Sequence, residues 1–152
     1  MADLFENPAG LDGFEFLEFS AQDPALVDRV FRQLGFTPIA KHRSKEVTLY
    51  RQGHVNFLLN AEPRSPAAFF AEEHEAGACA MGFRVKDAAK AYAHAIANGA
   101  EPAPTATGWM ELRLPAIKGI GGSLIYLIDL LVDDDDIYDI DFRYFEGVDR
   151  HP

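Results

Sequence analysis

The chain is poor in cysteine and in basic residues. Cys79 is the only cysteine among 152 residues, which excludes an internal disulfide and a thiolate cluster for structural zinc. Because Cys79 lies in an apolar stretch, we interpret it as a small core residue. Lys and Arg number 14 against 24 Asp and Glu, which gives a net charge of -10. This balance argues against a nucleic-acid partner, since phosphate recognition needs a basic surface.

Long apolar runs are also lacking. No run reaches the roughly 18 residues that a membrane-spanning helix needs, and the opening MADLFENPAG has neither the charged nor the apolar region of a signal peptide. We therefore expect a cytoplasmic protein without a membrane partner. A hydrophobic content of 48% and an aromatic content of 12% argue against disorder, and the length suits one domain.

Two strand-and-helix units with matching ends are present. Their predicted strands cover residues 14–19 and 79–85. Asp23 and Asp87 stand where each helix would be capped, and Gly35 and Gly99 follow twelve residues later, where glycine commonly ends a helix. The matching spacing either marks an internal repeat or reflects two unrelated units that share common caps.

Further strand patterns follow both helices. The predicted strands are residues 36–43, 46–52, 54–60, 110–114 and 123–131, with a weaker one near 100–104. Residues 118–122, KGIGG, predict a turn. We therefore predict two βαβββ modules, 12–61 and 78–132. They are joined by a connector, 62–77, whose short helix is capped by Ser65.

Paired modules of this kind predict an α+β domain over residues 12–132. Its curved mixed sheet would have helices outside and a concave inner face that could hold a ligand. Residues 1–11 predict an N-terminal arm, and the four aspartates at 133–136 predict a solvated loop rather than a metal site. Residues 137–145, IYDIDFRYF, alternate like a strand. We interpret 133–152 as an acidic loop and connector, and this ending could either pack back on the domain or lead toward a further segment.

The histidines offer little for a metal site. A mononuclear iron site needs two His and a carboxylate on facing strands, and only His42 and His54 lie on strand candidates, at strand ends of one module. We therefore favour exposed polar roles over a metal site for both. The remaining histidines lie on predicted helices or in the tail: His74, His94 and His151.

Four polar strand positions could line a cleft or form the solvated face of a sheet, including cross-strand ion pairs. They are Glu15, Glu18, Glu111 and Arg113. No nucleophile elbow, phosphate-binding loop, dinucleotide fingerprint or His-Glu-x-x-His helix occurs in the sequence. On its residues alone, the chain is typical of a binding scaffold without catalytic equipment.

Several stretches resemble the N-terminal half of the bacterial 4-hydroxyphenylpyruvate dioxygenase family. They are HRSKEVTLYRQG, FRVKDAAKAY, MELRLPAIKGIGG, LIYLID and IYDIDFRYFEGVDRHP. The resemblance covers nearly the whole chain and implies a vicinal oxygen chelate domain of paired βαβββ modules. It also implies that Fe(II) is held by two His and one Glu in a C-terminal domain. The positions in this chain that correspond to those ligands are Phe14, Ala80 and Tyr126, none of which binds iron as His and Glu do.

The resemblance implies a division of labour. The full-length enzyme would use Fe(II) to convert 4-hydroxyphenylpyruvate and O2 to homogentisate and CO2 in tyrosine catabolism. This chain would be its inactive, metal-free partner domain within a homo-oligomer, and residues 137–152 would lead to the C-terminal catalytic domain. The alternatives are a stand-alone, metal-free small-molecule binder of the same fold and the corresponding domain of a relative. Such a relative could be a hydroxymandelate synthase or a fusion behind a dehydratase.

Overall fold

Alternating and apolar segments of the chain assemble into one open sheet in the computed structural model, which describes residues 6–104, 114–129 and 137–152. The elements in chain order are β1 (Leu11–Ser20), α1 (Pro24–Gln33), β2 (Thr37–His42), β3 (Val47–Gln52), β4 (Val55–Asn60), α2 (Pro66–His74), β5 (Gly77–Val85), α3 (Ala88–Ala97), β6 (Ala116–Lys118), β7 (Leu124–Ile128), α4 (Ile137–Asp141) and β8 (Phe142–Tyr144), with a 3-10 turn at Ile120–Gly122 between β6 and β7. The described residues contain no helix with the length and apolar character of a membrane span.

The strands run in the order β6-β7-β5-β1-β4-β3-β2-β8 across the sheet. Two pairs are parallel, β1 with β4 and β5 with β7, and the remaining pairs are antiparallel. The first strands of the two modules, β1 and β5, lie side by side, so the modules share one sheet. The predicted α+β fold with a curved mixed sheet is therefore confirmed.

The helix ends follow the capping signals in the sequence. The Asp23 carboxylate accepts a hydrogen bond from the Leu26 amide at 3.3 Å, and the Asp87 carboxylate accepts one from the Lys90 amide at 2.9 Å. The Ser65 hydroxyl accepts one from the Ala68 amide at 3.1 Å. Each bond satisfies an amide that the first helical turn cannot pair internally, so the three predicted helices begin where expected.

The sheet carries apolar side chains on both faces. Because side chains alternate along a strand, Leu58 and Leu59 point to opposite sides. Leu59 packs in a cluster with Val27 and Phe31 of α1, and Leu127 packs with Ala88 and Ala91 of α3. The opposite side, which we call the inner face, holds Phe16, Leu49, Leu58, Ala80, Tyr126 and Ile128.

The C-terminal segment differs from the sequence expectation. The alternating pattern of residues 137–145 predicts a strand, whereas the sequence leaves open whether the ending packs back on the domain. In the structure Ile137–Asp141 is a helix, and Phe142–Tyr144 is a strand paired with β2. The helix forms because Ile137, Tyr138 and Asp141 are all buried, a spacing that puts them on one helical face. The last described segment therefore completes the sheet and the core.

Smaller differences concern the ends of strands. The predicted arm, 1–11, ends inside β1, which begins at Leu11. Lys118, predicted within a turn, ends β6 instead. The weak strand near residues 100–104 appears only as an isolated pairing of Pro102 with Ile117. Most of the predicted strand at 110–114 and the four aspartates lie outside the described residues.

Candidate functional site

The inner face is where paired βαβββ modules would hold a ligand, and its centre lies on β1, β5 and β7. Ala80 pairs with Glu18 on one side and with Leu124 on the other. Tyr126 pairs with Gly82, and its ring lies 6.0 Å from the Phe16 ring. A Cβ atom on Gly82 would lie 2.7 Å from the Phe16 ring and 2.8 Å from the Ile128 side chain. The missing side chain at residue 82 therefore lets these groups close the centre of the face.

The structure brings two of the three predicted ligand-equivalent residues together. Ala80 and Tyr126 are 3% and 2% exposed within the same apolar cluster. Phe14 is 60% exposed, pairs with Phe83 rather than with Ala80, and its ring lies 4.7 Å from the Phe83 ring. The β1 residue that pairs with Ala80 is Glu18, so Phe14 lies away from the centre of the inner face.

Glu18 is a buried carboxylate beside Ala80. Its Oε1 accepts a hydrogen bond from the Asn60 side-chain amide at 2.8 Å, and its backbone carbonyl accepts one from the Cys79 thiol at 3.5 Å. Burial raises the pKa of Glu18 to about 7, although the Asn60 hydrogen bond acts to lower it. Burial also raises the pKa of the Cys79 thiol, which fits the predicted role of a small core residue.

The space around Glu18 is small. A cavity of about 20 Å³ lies between Glu18, Asn60, Ala80 and Tyr126, and Ala67 of α2 lines its other side. A water molecule needs roughly 10–15 Å³ of such space. The cavity therefore has room for about one water molecule and none for an organic ligand.

The C-terminal helix covers the neighbouring part of the inner face. Ile137, Tyr138 and Phe142 belong to the inner-face cluster, and the Tyr138 hydroxyl donates to the Glu15 carbonyl at 3.3 Å. The Arg51 guanidinium lies 5.4 Å from the centre of the Tyr138 ring. This part of the inner face is thus occupied by side chains of the chain itself.

Glu15 is also buried, and its carboxylate forms an ion pair with Arg84 at 3.2 Å. The pair joins β1 to β5, so the cross-strand ion pair considered for this position is present. Glu18, in contrast, lies neither on a solvated face nor in an open cleft. Glu111 and Arg113 lie outside the described residues.

The histidines are not brought together. His42 is 5% exposed, which corrects the exposed role predicted for it. Its Nδ1 accepts hydrogen bonds from the Ser44 and Lys45 amides, both at 3.1 Å, so it orders the β2–β3 turn. His54 is exposed in the turn after β3, and the β2–β3 register puts these turns at opposite ends of the hairpin. Across 6–104, 114–129 and 137–152, no three His, Cys, Asp or Glu side chains form a possible metal group.

Comparison with known proteins assigns the family. The family described as "Hydroxyphenylpyruvate dioxygenase, HPPD, N-terminal" matches residues 5–143. The chain belongs to this family.

Relatives and solved structures agree with that assignment. The chain is 56% identical over 151 residues to the 4-hydroxyphenylpyruvate dioxygenase of Pseudomonas sp. (strain P.J. 874), covering 99% of this chain and 42% of the relative. It is 51% identical over 143 residues to "Hemolysin VllY" of Vibrio vulnificus (strain CMCP6), covering 92% of this chain and 40% of the relative. The chain thus spans about two fifths of the length of these curated relatives.

A solved structure extends the likeness to three dimensions. It is a xylose isomerase-like TIM barrel/4-hydroxyphenylpyruvate dioxygenase fusion protein, which matches with a TM-score of 0.83 and 39% identity. The match covers 96% of this chain and 24% of the fusion protein.

The inner face of this HPPD N-terminal domain does not fit Fe(II). Ala80 and Tyr126 lie in an apolar cluster, and Phe14 lies elsewhere. Glu18 offers one carboxylate. A non-haem iron site needs two imidazoles in addition to a carboxylate, and it needs open coordination positions on the metal. The equivalence of Phe14, Ala80 and Tyr126 with the family's metal ligands stays a prediction.

Sequence reasoning missed three residues of the HPPD N-terminal domain that organise this face. Asn60 holds Glu18, and Arg51 and Tyr138 join β3 to the C-terminal helix. Asn60 is a polar residue at the end of β4, a largely apolar strand. A polar residue in such a strand was the available signal, because a buried polar group needs a partner.

Proposed function

We propose that this chain is the non-catalytic N-terminal domain of a 4-hydroxyphenylpyruvate dioxygenase. In the proposed full-length enzyme, 4-hydroxyphenylpyruvate and O2 become homogentisate and CO2 in tyrosine catabolism. Fe(II) and the chemical step belong to a C-terminal catalytic domain, and the enzyme works in the cytoplasm. The observation that supports an inactive role for this chain is the filled inner face.

The filling has a direct consequence for catalysis. A metal that activates O2 on a chelated substrate needs open coordination positions and a pocket, and ligand pockets measure about 300–1,000 Å³. The cavity beside Ala80 and Tyr126 measures about 20 Å³. The Tyr138 side chain is fully buried and fills the neighbouring part of the inner face. The same filling argues against a stand-alone small-molecule binder that uses this face.

Oxygen uptake by the 152-residue chain tests the proposal. The chain is loaded with Fe(II) under anaerobic conditions, supplied with 4-hydroxyphenylpyruvate, and analysed for bound metal in the same sample. The Pseudomonas sp. dioxygenase is the positive control. We expect neither stoichiometric iron nor uptake from the chain alone. Iron-dependent uptake by the chain would contradict the proposal.

We also propose that the protein forms a homo-oligomer. Three apolar side chains of or next to α1 are spaced four residues apart and are 41–60% exposed: Leu26, Val30 and Leu34. This stripe is typical of a helix face that packs against another chain. Light scattering at tens of micromolar should give a mass above the monomer, and Val30→Asp should lower it. A monomeric wild-type chain under these conditions would contradict the proposal.

A further inference from the structure

An exposed apolar patch lies at the start of β1 and the adjoining turn between β3 and β4. Phe14 and Val55 are 60% and 50% exposed and line the same groove, and we call them the Phe14 patch. Phe83 of the neighbouring strand supports the Phe14 ring at a centroid distance of 4.7 Å. An open groove of about 270 Å³ runs between Phe14 and Val55, with His54 at its rim. Exposed apolar side chains that share one groove offer a surface for contact with another domain.

The last residues of the chain are fixed beside this patch. The Gly53 amide donates to the Pro152 carbonyl at 2.7 Å, and the Arg51 guanidinium donates to the Arg150 carbonyl at 2.9 Å. Gly53 is two residues from Val55. Any polypeptide that continues beyond Pro152 would therefore leave the domain next to the Phe14 patch.

We propose that the Phe14 patch is the surface on which the C-terminal domain of the full-length protein docks. This inference rests on the proposed function, in which a catalytic domain follows Pro152. The matched region is 42% of the Pseudomonas sp. dioxygenase, so that relative has ample chain outside the match to form such a domain.

Covalent linkage favours this occupant over a second copy of the chain. A domain attached by a short linker is present at an effective concentration in the millimolar range. A second copy must reach the patch from dilute solution. Contacts between domains of one chain typically bury about 600–1,500 Å² and mix apolar with polar groups. The patch supplies an apolar centre, and the partly exposed Arg84 on the adjoining strand supplies a polar rim.

Hydroxyl-radical footprinting tests the docking. Residues 1–152 replace the matched region of the Pseudomonas sp. dioxygenase, and the oxidation rate of Phe14 in this chimera is compared with its rate in the 152-residue chain. We expect Phe14 oxidation to fall several-fold in the chimera, independently of protein concentration. Phe69 of α2 is the internal control, because it is 57% exposed and should be oxidised equally in both proteins.

A variant pair adds a second measurement. Val55→Asp should return Phe14 oxidation in the chimera to the rate of the isolated chain, whereas Ile120→Asp, at a residue 95% exposed elsewhere, should leave the protection unchanged. Equal Phe14 oxidation in chimera and isolated chain would overturn the proposal. Protection that grows with concentration in both proteins would also overturn it, since a second copy would then occupy the patch.

The two proposals fail separately in these experiments. Turnover by the isolated chain would contradict the proposed function, whatever the footprint shows. Unprotected Phe14 in a chimera that turns over 4-hydroxyphenylpyruvate would contradict the docking surface alone.

Discussion

The helices α1 and α3 begin with the same kind of cap and lie on the same side of the sheet, yet they bury different side chains. Phe31 of α1 lies within 5.1–5.2 Å, ring centre to ring centre, of Phe19, Tyr50 and Phe57. In α3 the buried residues are Ala88 and Ala91. Matching caps therefore fix where a helix starts, while the side chains of its buried face set how strongly each module is packed.

The modules also differ at their outer edges. The first module has its β2 edge paired with β8 and its inner face covered by α4. In the second module, within the described residues, the edge strand β6 has three residues. The two copies of the repeated module therefore differ in how their edge strands and inner faces are covered. Among the described residues, most of this additional covering lies on the first module.

Truncation of Phe31 should show the difference in packing between the two modules most clearly. Phe31→Ala removes an aromatic side chain that is 4% exposed, and such a change lowers the free energy of unfolding by about 3–5 kcal/mol. Ala91→Gly is the control in α3 and should cost about 1 kcal/mol through helix propensity. Urea unfolding monitored by circular dichroism measures both. Equal losses would contradict the difference in packing.

The buried Glu18 gives the first module a pH dependence. Its folded-state pKa of about 7 lies above the ordinary value of 4.5, so between these values the folded chain holds a proton that the unfolded chain has lost. Stability should therefore fall as the pH rises from about 4.5 to 7, by a total on the order of 3 kcal/mol.

Glu18→Gln should remove this dependence, because the amide stays neutral while keeping a hydrogen-bonding oxygen for Asn60. The variant should match the wild type near pH 4.5 and exceed its stability at pH 8. Unfolding titrations at both values measure the difference, with Glu72→Gln, on an exposed residue, as the control. A pH profile unchanged by Glu18→Gln would assign the dependence to other groups.

Removal of the Tyr138 hydroxyl should have a smaller effect. The hydroxyl donates to the Glu15 carbonyl at 3.3 Å, which also accepts from the Asn56 amide at 3.1 Å. Tyr138→Phe should therefore lower the free energy of unfolding by about 1 kcal/mol, typical of one hydrogen bond. Tyr92→Phe, in the α3 cluster, is the matched control and should change less. A larger loss from Tyr92→Phe would reverse the comparison.

The caps should give the smallest effects, and similar ones in both modules. Asp23→Ala and Asp87→Ala each remove one side-chain acceptor from a first-turn amide, so both should lower the thermal midpoint slightly. Asp23→Asn and Asp87→Asn keep a side-chain acceptor, so their thermal midpoints should lie close to that of the wild type. A much larger loss at either cap would mean that its role extends beyond the helix start.

Local signals allowed the helices and most strands to be predicted. Proline and capping residues mark the beginnings of α1 and α2, and apolar alternation marks β3. Residues 137–141 were assigned wrongly, because in five residues an alternating pattern and a helical one share most of their apolar positions. Only the tertiary burial of Ile137 beside Tyr138 decides between them.

The inner face was less predictable than the fold, since β1 pairs irregularly with β5. Register shifts occur between Leu11 and Phe14, between Phe14 and Phe16, and between Glu18 and Phe19. Each shift changes which residue points inward, so the sequence alone does not show that Glu18 lies opposite Ala80. The pairing of Glu18 with Asn60 depends on the same long-range register.

The late position of β8 in the chain has a consequence for synthesis on the ribosome. β2 and the inner face of the first module are complete once Asn60 has been made, but Phe142, which covers them, follows 82 residues later. At about 5–20 residues per second this interval lasts roughly 4–16 s. During that time the nascent chain exposes an open strand edge and apolar surface, the features that promote misassembly. The growing chain is thus most exposed to misassembly between these two points of translation.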